Sequence, residues 1–220
     1  MALEIKENVS LADYSVFKIG GPARFFAVVK SEDELIDALE WAKSTLRKAG
    51  LIARSNLQSK FDLGSIFILG AGSNILVSDK GFGGLVIKMD LQELRFEGRT
   101  VYAGPGVSMA RVVSESIKAG LGGFEWGIGI PGTVGGSVRG NAGCFGSEMK
   151  DVVKTVSAVN IKDFQKSVFT NIECNFRYRD SYFKHYSNSV IVSAVLTLTK
   201  GDLFESGKKI VSDLPSHWNL

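Results

Sequence analysis

The sequence predicts an α+β fold, and three observations carry that prediction. Short runs of β-branched and aromatic residues recur along the chain, two segments repeat apolar residues at helical spacing behind a capping residue, and ten of the twenty-five glycines fall between Leu121 and Gly146. A glycine density of that order excludes regular helix or strand throughout its segment. With 220 residues, 45% of them hydrophobic, the chain can bury a sizeable core as one large domain or two small ones.

Taken in order, Ala23 to Val29 is rich in aromatic and β-branched residues and reads as a strand. Ser31-x-x-Glu34 then supplies a capping box, and Leu35, Ala38, Leu39 and Ala42 predict a helix to about Leu46 with one face on a sheet. From Arg47 to Ser65 the pattern dissolves into a polar, partly basic stretch containing Arg54, Ser55, Asn56, Gln58 and Lys60, which reads as a loop or peripheral insertion. Strands are expected at Ile66 to Leu69, Ile75 to Val77, Leu85 to Met89 and Val101 to Ala103, joined by Gly-rich turns: a twisting sheet, not a helix bundle. Ser108 caps a second helix whose buried face is Met109, Val112, Val113 and Ile117, with Gly120 as its stop. Beyond the glycine-rich stretch, strands are expected at Val152 to Val159 and Val190 to Thr199, separated by a helical turn at Thr170-x-x-Glu173. No repeat or low-complexity segment interrupts this order.

Composition excludes several classes. The net charge of +3 comes without a basic block, so no nucleic-acid partner is expected. Met1 to Ser10 lacks a basic region followed by an apolar stretch, and the longest apolar segment, near Val190 to Leu198, is broken by Ser193 and Thr197, so neither signal peptide nor membrane insertion is expected. Cys144 and Cys174 form no CxxC pair, and His185 and His217 add too few soft ligands for a metal site. A reduced, cytoplasmic setting is the default for such a chain.

Two glycine loops carry the chemistry. Gly70-Ala71-Gly72-Ser73-Asn74 follows a predicted buried strand; its glycines allow successive N–H groups to face one side as a nest for phosphate oxygens, and Ser73 and Asn74 add side-chain donors. No Lys-Ser or Lys-Thr ends the run, which excludes a Walker loop, and Ile75 stands where a Rossmann fingerprint needs its third glycine. Alone, this segment reads first as an ordinary β-turn and second as a phosphate cradle. Gly127-Ile128-Gly129-Ile130-Pro131-Gly132 matches GxGxxG, with Asp151 nineteen residues on, but Pro131 removes a donor and Thr133-Val134-Gly135-Gly136-Ser137 lacks the periodicity of a dinucleotide-binding helix. Such a loop suits close backbone approach to a flat ring; a flexible surface loop would leave Ile128, Ile130, Val134 and Val138 exposed.

These motifs are not independent. Asn8-Val9-Ser10 and Tyr14 to Ala23, Leu69 to Val77, Gly104-Pro105-Gly106, Gly129 to Gly136 with Asn141-Ala142-Gly143, and Tyr178-Arg179-Asp180-Ser181 stand in one order, and from about Asn8 to Thr199 the chain resembles the UDP-N-acetylenolpyruvoylglucosamine reductases. The resemblance implies a two-part FAD-binding domain of the vanillyl-alcohol-oxidase type, with a small unit at 1–72, a larger sheet unit at 73–200 and a tail at 201–220. It implies non-covalent FAD, with the pyrophosphate on Gly70, Ala71, Gly72, Ser73 and Asn74. Gly129, Ile130, Pro131, Gly132, Thr133, Gly135 and Gly136, with Asn141, Ala142 and Gly143, would line the isoalloxazine. The implied reaction reduces the enolpyruvyl ether of a UDP-linked aminosugar, with NADPH as hydride donor. Another FAD oxidase or dehydrogenase on the same fold, or a non-catalytic flavin-binding module, are the rival readings.

An enol ether is electron-rich, so hydride attack needs the substrate carboxylate as electron sink and a fixed cation to hold it. Arg179 suits that role through two-pronged carboxylate binding, and the resemblance implies it is catalytic, with Tyr178 beside it as a substrate-binding residue. An ion pair of Arg179 with Asp180 is the bland alternative. Asn141 has two open uses, orienting flavin or substrate and closing its own loop. Cys144 reads as a buried inert cysteine or as a thiol near the flavin; Phe124, Trp126 and Phe145 read as core or as flavin-stacking rings. The resemblance also includes a third domain with a protonating serine and a late glutamate. Gly201 to Leu220 is too short to form one, so the chain is expected to bind FAD and turn the UDP-sugar over poorly.

Overall fold

The computed structural model describes residues 3–48, 65–186 and 188–201. Strand β1 (Ile5–Ser10) runs antiparallel to β2 (Pro22–Val29), and helix α1 (Glu32–Lys48) follows. Strands β3 (Ile66–Leu69) and β4 (Phe82–Met89) complete a sheet in the order β1-β2-β4-β3, with β4 parallel to both neighbours. The expected cap of α1 is present: Ser31 Oγ accepts from the Glu34 N–H at 3.1 Å, and the Glu34 carboxylate accepts from the Lys30 N–H at 2.6 Å, one residue earlier than a standard box. Leu35, Ala38, Leu39 and Ala42 are buried in one cluster with Phe25, Ala27 and Val29 of β2 and Leu85, Ile87 and Met89 of β4. Each buried leucine there contributes about 1.5–3 kcal/mol, so the apolar stripe fixes the helix on the sheet.

Strands β5 (Leu94–Glu97) and β6 (Thr100–Ala103) form a hairpin, and α2 (Met109–Lys118) follows. Ser108 Oγ accepts from the Arg111 N–H at 3.2 Å as the N-cap, and Gly120, at φ +69°, turns the chain out of the helix. The glycine-rich stretch resolves into β7 (Leu121–Gly122), a 3-10 turn (Glu125–Gly129), α3 (Val134–Arg139), β8 (Gly143–Cys144), β9 (Ser147–Glu148) and α4 (Met149–Val152). Then come β10 (Val153–Asn160), β11 (Lys166–Thr170), α5 (Tyr182–His185), β12 (Ser189–Thr197) and β13 (Thr199–Lys200). A 5-stranded antiparallel sheet orders them β11-β10-β12-β6-β5. The turn expected after Thr170 is closed by the Glu173 carboxylate, which accepts from the Thr170 N–H and Oγ1, each at 2.8 Å.

The second sheet is covered on both faces. Val156, Ala158, Ala194 and Leu196 share a core with Met109, Val112 and Val113 of α2 and with Phe124 and Trp126, whereas Val159, Ile161, Val190 and Val192 join the α1 cluster. Helix α1 therefore packs between the two sheets, and Lys166 Nζ reaches Glu32 at 2.5 Å from the second sheet to the helix.

Four expectations need correction or limits. The segment Ile75 to Val77 is not a strand, because it crosses the outer face of the first sheet, where Ile75 and Val77 pack beside Phe26, Leu69 and Val86. A short helix, α3, does form after the GxGxxG match, since Val134 and Val138, one turn apart, are both fully buried. The division at residues 72 and 73 cuts the first sheet, which continues through β4 to Met89; strand pairing places the change of sheet near Asp90. Residues 49–64 of the expected insertion, and the tail from 202 onward, lie outside the described residues.

Candidate active site

Because β3 and β4 are parallel neighbours, the chain must return along the sheet between them, and Gly70 to Gly81 does so without a helix. Gly72 stands at φ +71°, where a Cβ would lie 1.9 Å from the Tyr14 carbonyl oxygen, and the Val16 N–H donates to the Gly72 carbonyl at 3.2 Å. Only glycine meets both demands. Ser73 Oγ donates to the Pro131 carbonyl at 2.9 Å, which joins this loop to the second glycine loop. A Cβ on Gly70 would lie 2.9 Å from Thr133 Oγ1, and one on Gly132 would lie 3.0 Å from Ser73 Oγ. The two loops thus touch through the short hydroxyl side chains of Ser73 and Thr133, with glycine opposite each. Behind the first, Lys88 Nζ donates to the Gly70 carbonyl at 2.6 Å.

The second loop is held from behind by Gly104 to Met109. Val134 N–H donates to Val107 O at 2.9 Å, Gly135 N–H to Pro105 O at 3.0 Å, and Met109 N–H to Gly132 O at 3.1 Å. Its open side is bare: a Cβ at Gly136 would come no nearer than 3.8 Å to anything, that atom being Thr133 Oγ1, and one at Gly129 would first meet the Phe145 ring at 3.8 Å. Ile130 and Ala142 turn inward and pack on the core.

Beyond Phe145 the track opens into a cavity of about 350 Å³ lined by Asn141, Gly143, Cys144, Phe145, Glu148 and the Tyr178-Arg179 pair, among others. The pair occupies the corner of a tight turn in which Arg177 and Asp180 exchange two N–H···O bonds of 3.0 Å. Asn141 (φ 42°), Phe145 (φ 52°) and Arg179 (φ 53°) are all left-handed, a conformation costing about 1–3 kcal/mol each that concentrates at functional sites. Asn141 ties the cavity wall together: its Nδ2 donates to Glu148 Oε2 at 2.8 Å and to the Arg177 carbonyl at 2.9 Å, and its Oδ1 accepts from the Lys150 N–H at 3.0 Å. With the amide committed on both sides, Asn141 positions the Tyr178-Arg179 turn. Ser181 anchors its far end by donating to the Arg139 carbonyl at 2.7 Å.

Asp180 does not pair with Arg179. Its carboxylate lies 2.7 Å from His185 Nε2, and that hydrogen bond holds its pKa below the usual carboxylate value. Among the described residues, no carboxylate stands within ion-pair distance of the Arg179 guanidinium, whose neighbour is the Tyr178 ring at 5.7 Å. Tyr178 itself is exposed.

Phe124 and Trp126 are buried and pack edge to face at 5.1 Å, while Phe145 is 53% exposed and faces the cavity. Cys174 is fully buried, and burial, with Glu173 beside it, pushes its thiol up to about 12. Cys144 is half-buried in the cavity wall. Since only a thiolate attacks, a disulfide reagent near pH 8 is expected to modify one thiol in the native chain and two after denaturation. Rapid reaction of both in the native protein would contradict this burial.

An FAD binding domain family model matches residues 59–163. The UDP-N-acetylenolpyruvoylglucosamine reductases of Carboxydothermus hydrogenoformans and Bacillus subtilis are 38% and 34% identical over 94% and 90% of this chain. Over the part it spans, the chain is similar to these reductases. The UDP-N-acetylenolpyruvylglucosamine reductase of Thermus caldophilus superposes over 96% of this chain and 68% of its own, with TM-score 0.74 and 28% identity. The chain spans 63% and 60% of the length of the Carboxydothermus and Bacillus reductases. A glucooligosaccharide oxidase from Acremonium strictum, at 14% identity and TM-score 0.57, shares the fold alone. The architecture is the α+β, two-part FAD-binding fold of the vanillyl-alcohol-oxidase type expected from the sequence.

The residues present fit FAD. Gly70 to Asn74 meets Gly129 to Gly136 with only the short side chains of Ser73 and Thr133 at the contact, and the second loop leads past Phe145 to the cavity. Val16, Phe17, Ile19 and Leu76 are 50% to 77% exposed in segments beside the first loop. An elongated ligand with an anionic middle and flat apolar rings satisfies this combination. Sequence reasoning missed Lys88, a lysine inside an apolar strand run. Its signal was the break in the pattern Leu85-Val86-Ile87-Lys88-Met89.

Proposed function

We propose that the chain supplies the flavin half of an NADPH-dependent reductase that converts the enolpyruvyl ether of a UDP-linked N-acetylglucosamine to the lactyl ether, in the cytoplasm. The observation that carries the reading is the continuous track from the paired glycine loops to a cavity holding an arginine without a carboxylate partner. FAD, bound without a covalent link, would pass hydride from NADPH to the substrate. Gly70 to Asn74 would offer backbone N–H groups to the diphosphate, with Ser73 held in place by Pro131. Gly129 and Gly136 would let the backbone lie against the ring, and Phe145 would screen its edge from water. Arg179 would bind the substrate carboxylate through two parallel N–H···O bonds and stabilise the charge that gathers there as hydride arrives. Tyr178 would cover the bound carboxylate from solvent.

The test is FAD content. The purified chain should be yellow and release FAD on heating. Gly136→Val, which the fold has room for, should keep the apo-chain melting temperature within about 4 °C, roughly 1 kcal/mol or less. The same substitution should lower FAD affinity more than tenfold, about 1.4 kcal/mol. A colourless wild-type chain that FAD cannot reconstitute would sink the reading.

A further inference from the structure

One of the two inner strands of the first sheet, β4, contains a lysine. Lys88 lies between Val28 of β2 and Leu69 of β3 in the strand register, so its backbone is paired on both sides. It alternates onto the same face as Val86, whose side chain is fully buried with Phe26 and Leu69 beneath the returning loop. The ammonium is half-buried and bonded at 2.6 Å to the Gly70 carbonyl, the first residue of the glycine loop. Among the described residues, no carboxylate stands within ion-pair distance of it. Burial pulls its pKa below the usual lysine value, and Asp90 opposes that only in part. A half-buried cation without a direct ion pair destabilises the apo fold, and an apolar side chain at this position would pack at no such cost. One neutral hydrogen bond to Gly70 does not need a full charge.

We infer that Lys88 is an electrostatic positioning residue for the ligand diphosphate: it fixes the Gly70 loop and supplies from below the positive charge that the loop's N–H groups lack. This inference rests on the proposed FAD site and adds to it a residue outside the glycine motifs. The anion it serves is a dinucleotide diphosphate, because the charge lies under Gly70 to Asn74 and not beside the cavity that holds Arg179.

The test is the FAD dissociation constant, read from quenching of flavin fluorescence, as NaCl is raised from about 0.02 to 0.5 M, across which the screening length shortens severalfold. It compares the wild-type chain with Lys88→Arg, Lys88→Gln and Lys88→Met, with apo-chain melting temperature as the folding control. At low salt, Lys88→Gln and Lys88→Met should each weaken FAD binding by about 10- to 100-fold, and the deficit should shrink as salt rises. Lys88→Arg should stay within about threefold of wild type. Lys88→Met removes a desolvated charge and should melt no lower than wild type, so it remains readable. FAD affinity in Lys88→Gln within threefold of wild type, or a deficit constant across the salt range, would overturn the inference, the latter leaving Lys88 as a loop brace only. Failure of the wild-type chain to bind FAD would count against the proposed flavin site instead, so the two failures are distinguishable.

Discussion

In a catalytically complete form of the protein, Arg179→Lys is expected to slow reduction of the enolpyruvyl group by about 10²–10³-fold, roughly 2.7–4 kcal/mol of transition-state stabilisation, while FAD reduction by NADPH changes by less than about threefold. Lysine keeps the charge but offers one compact ammonium in place of a planar fork, so the carboxylate is attracted without being oriented. Orientation matters here because the carboxylate is the electron sink. The structure favours this assignment over a structural ion pair, since Asp180 is engaged by His185 and the Arg177–Asp180 turn is closed by backbone bonds that Arg179 does not make. Rapid mixing of the FAD-loaded protein with each substrate separates the half-reactions. Equal slowing of both would mean that Arg179 holds the turn together and touches no substrate.

Gly72→Val is expected to abolish FAD binding, with affinity down by more than about 100-fold, and to destabilise the apo chain by at least about 2 kcal/mol. Two penalties coincide at this position. The φ of +71° is hostile to a β-branched residue, and the new Cβ would lie 1.9 Å from a backbone carbonyl that cannot swing aside as a side chain could. The Val16–Gly72 bond must break to relieve the overlap, which uncouples the segment from Tyr14 to Ile19 from the loop. Gly136→Val makes the informative contrast, because it strikes the ligand and spares the fold. Titration with FAD, combined with thermal melting of the apo forms, tells the two apart. A Gly72→Val chain that melts normally and retains FAD would remove the first loop from the site.

The central strands and the caps of α1 and α2 were legible in the sequence because each carries its own signal: β-branched runs, Ser31 with Glu34, Ser108 with Gly120. Apart from the two-residue strands of the glycine-rich stretch, the strands that escaped, β1, β5 and β11, all lie at sheet edges. An edge strand has one hydrogen-bonded neighbour and little burial, so its residues are free to be polar; β11 reads Lys-Ser-Val-Phe-Thr and is almost wholly exposed. Ile75 to Val77 misled in the opposite sense, since its apolar side chains are used against the face of a sheet and not within one. The candidate site was legible as separate motifs, and the resemblance set their roles. Their contact could not be read, because the Ser73–Pro131 bond joins positions 58 residues apart. Nor could the commitment of Asn141 to Arg177 and Glu148, which depends on a turn 36 residues downstream.

The Ser73–Pro131 bond also joins a loop of the first sheet to a loop of the second. The seat it creates exists only while the two sheets are docked, so ligand occupancy and inter-sheet cohesion are thermodynamically linked. A molecule spanning that seam raises the free energy of separating the halves by RT ln(1 + [L]/Kd), about 2.7 kcal/mol at a hundredfold excess over Kd. The flavin would then act as a mortar between two substructures that share one helix, and its loss would let them breathe before either unravels.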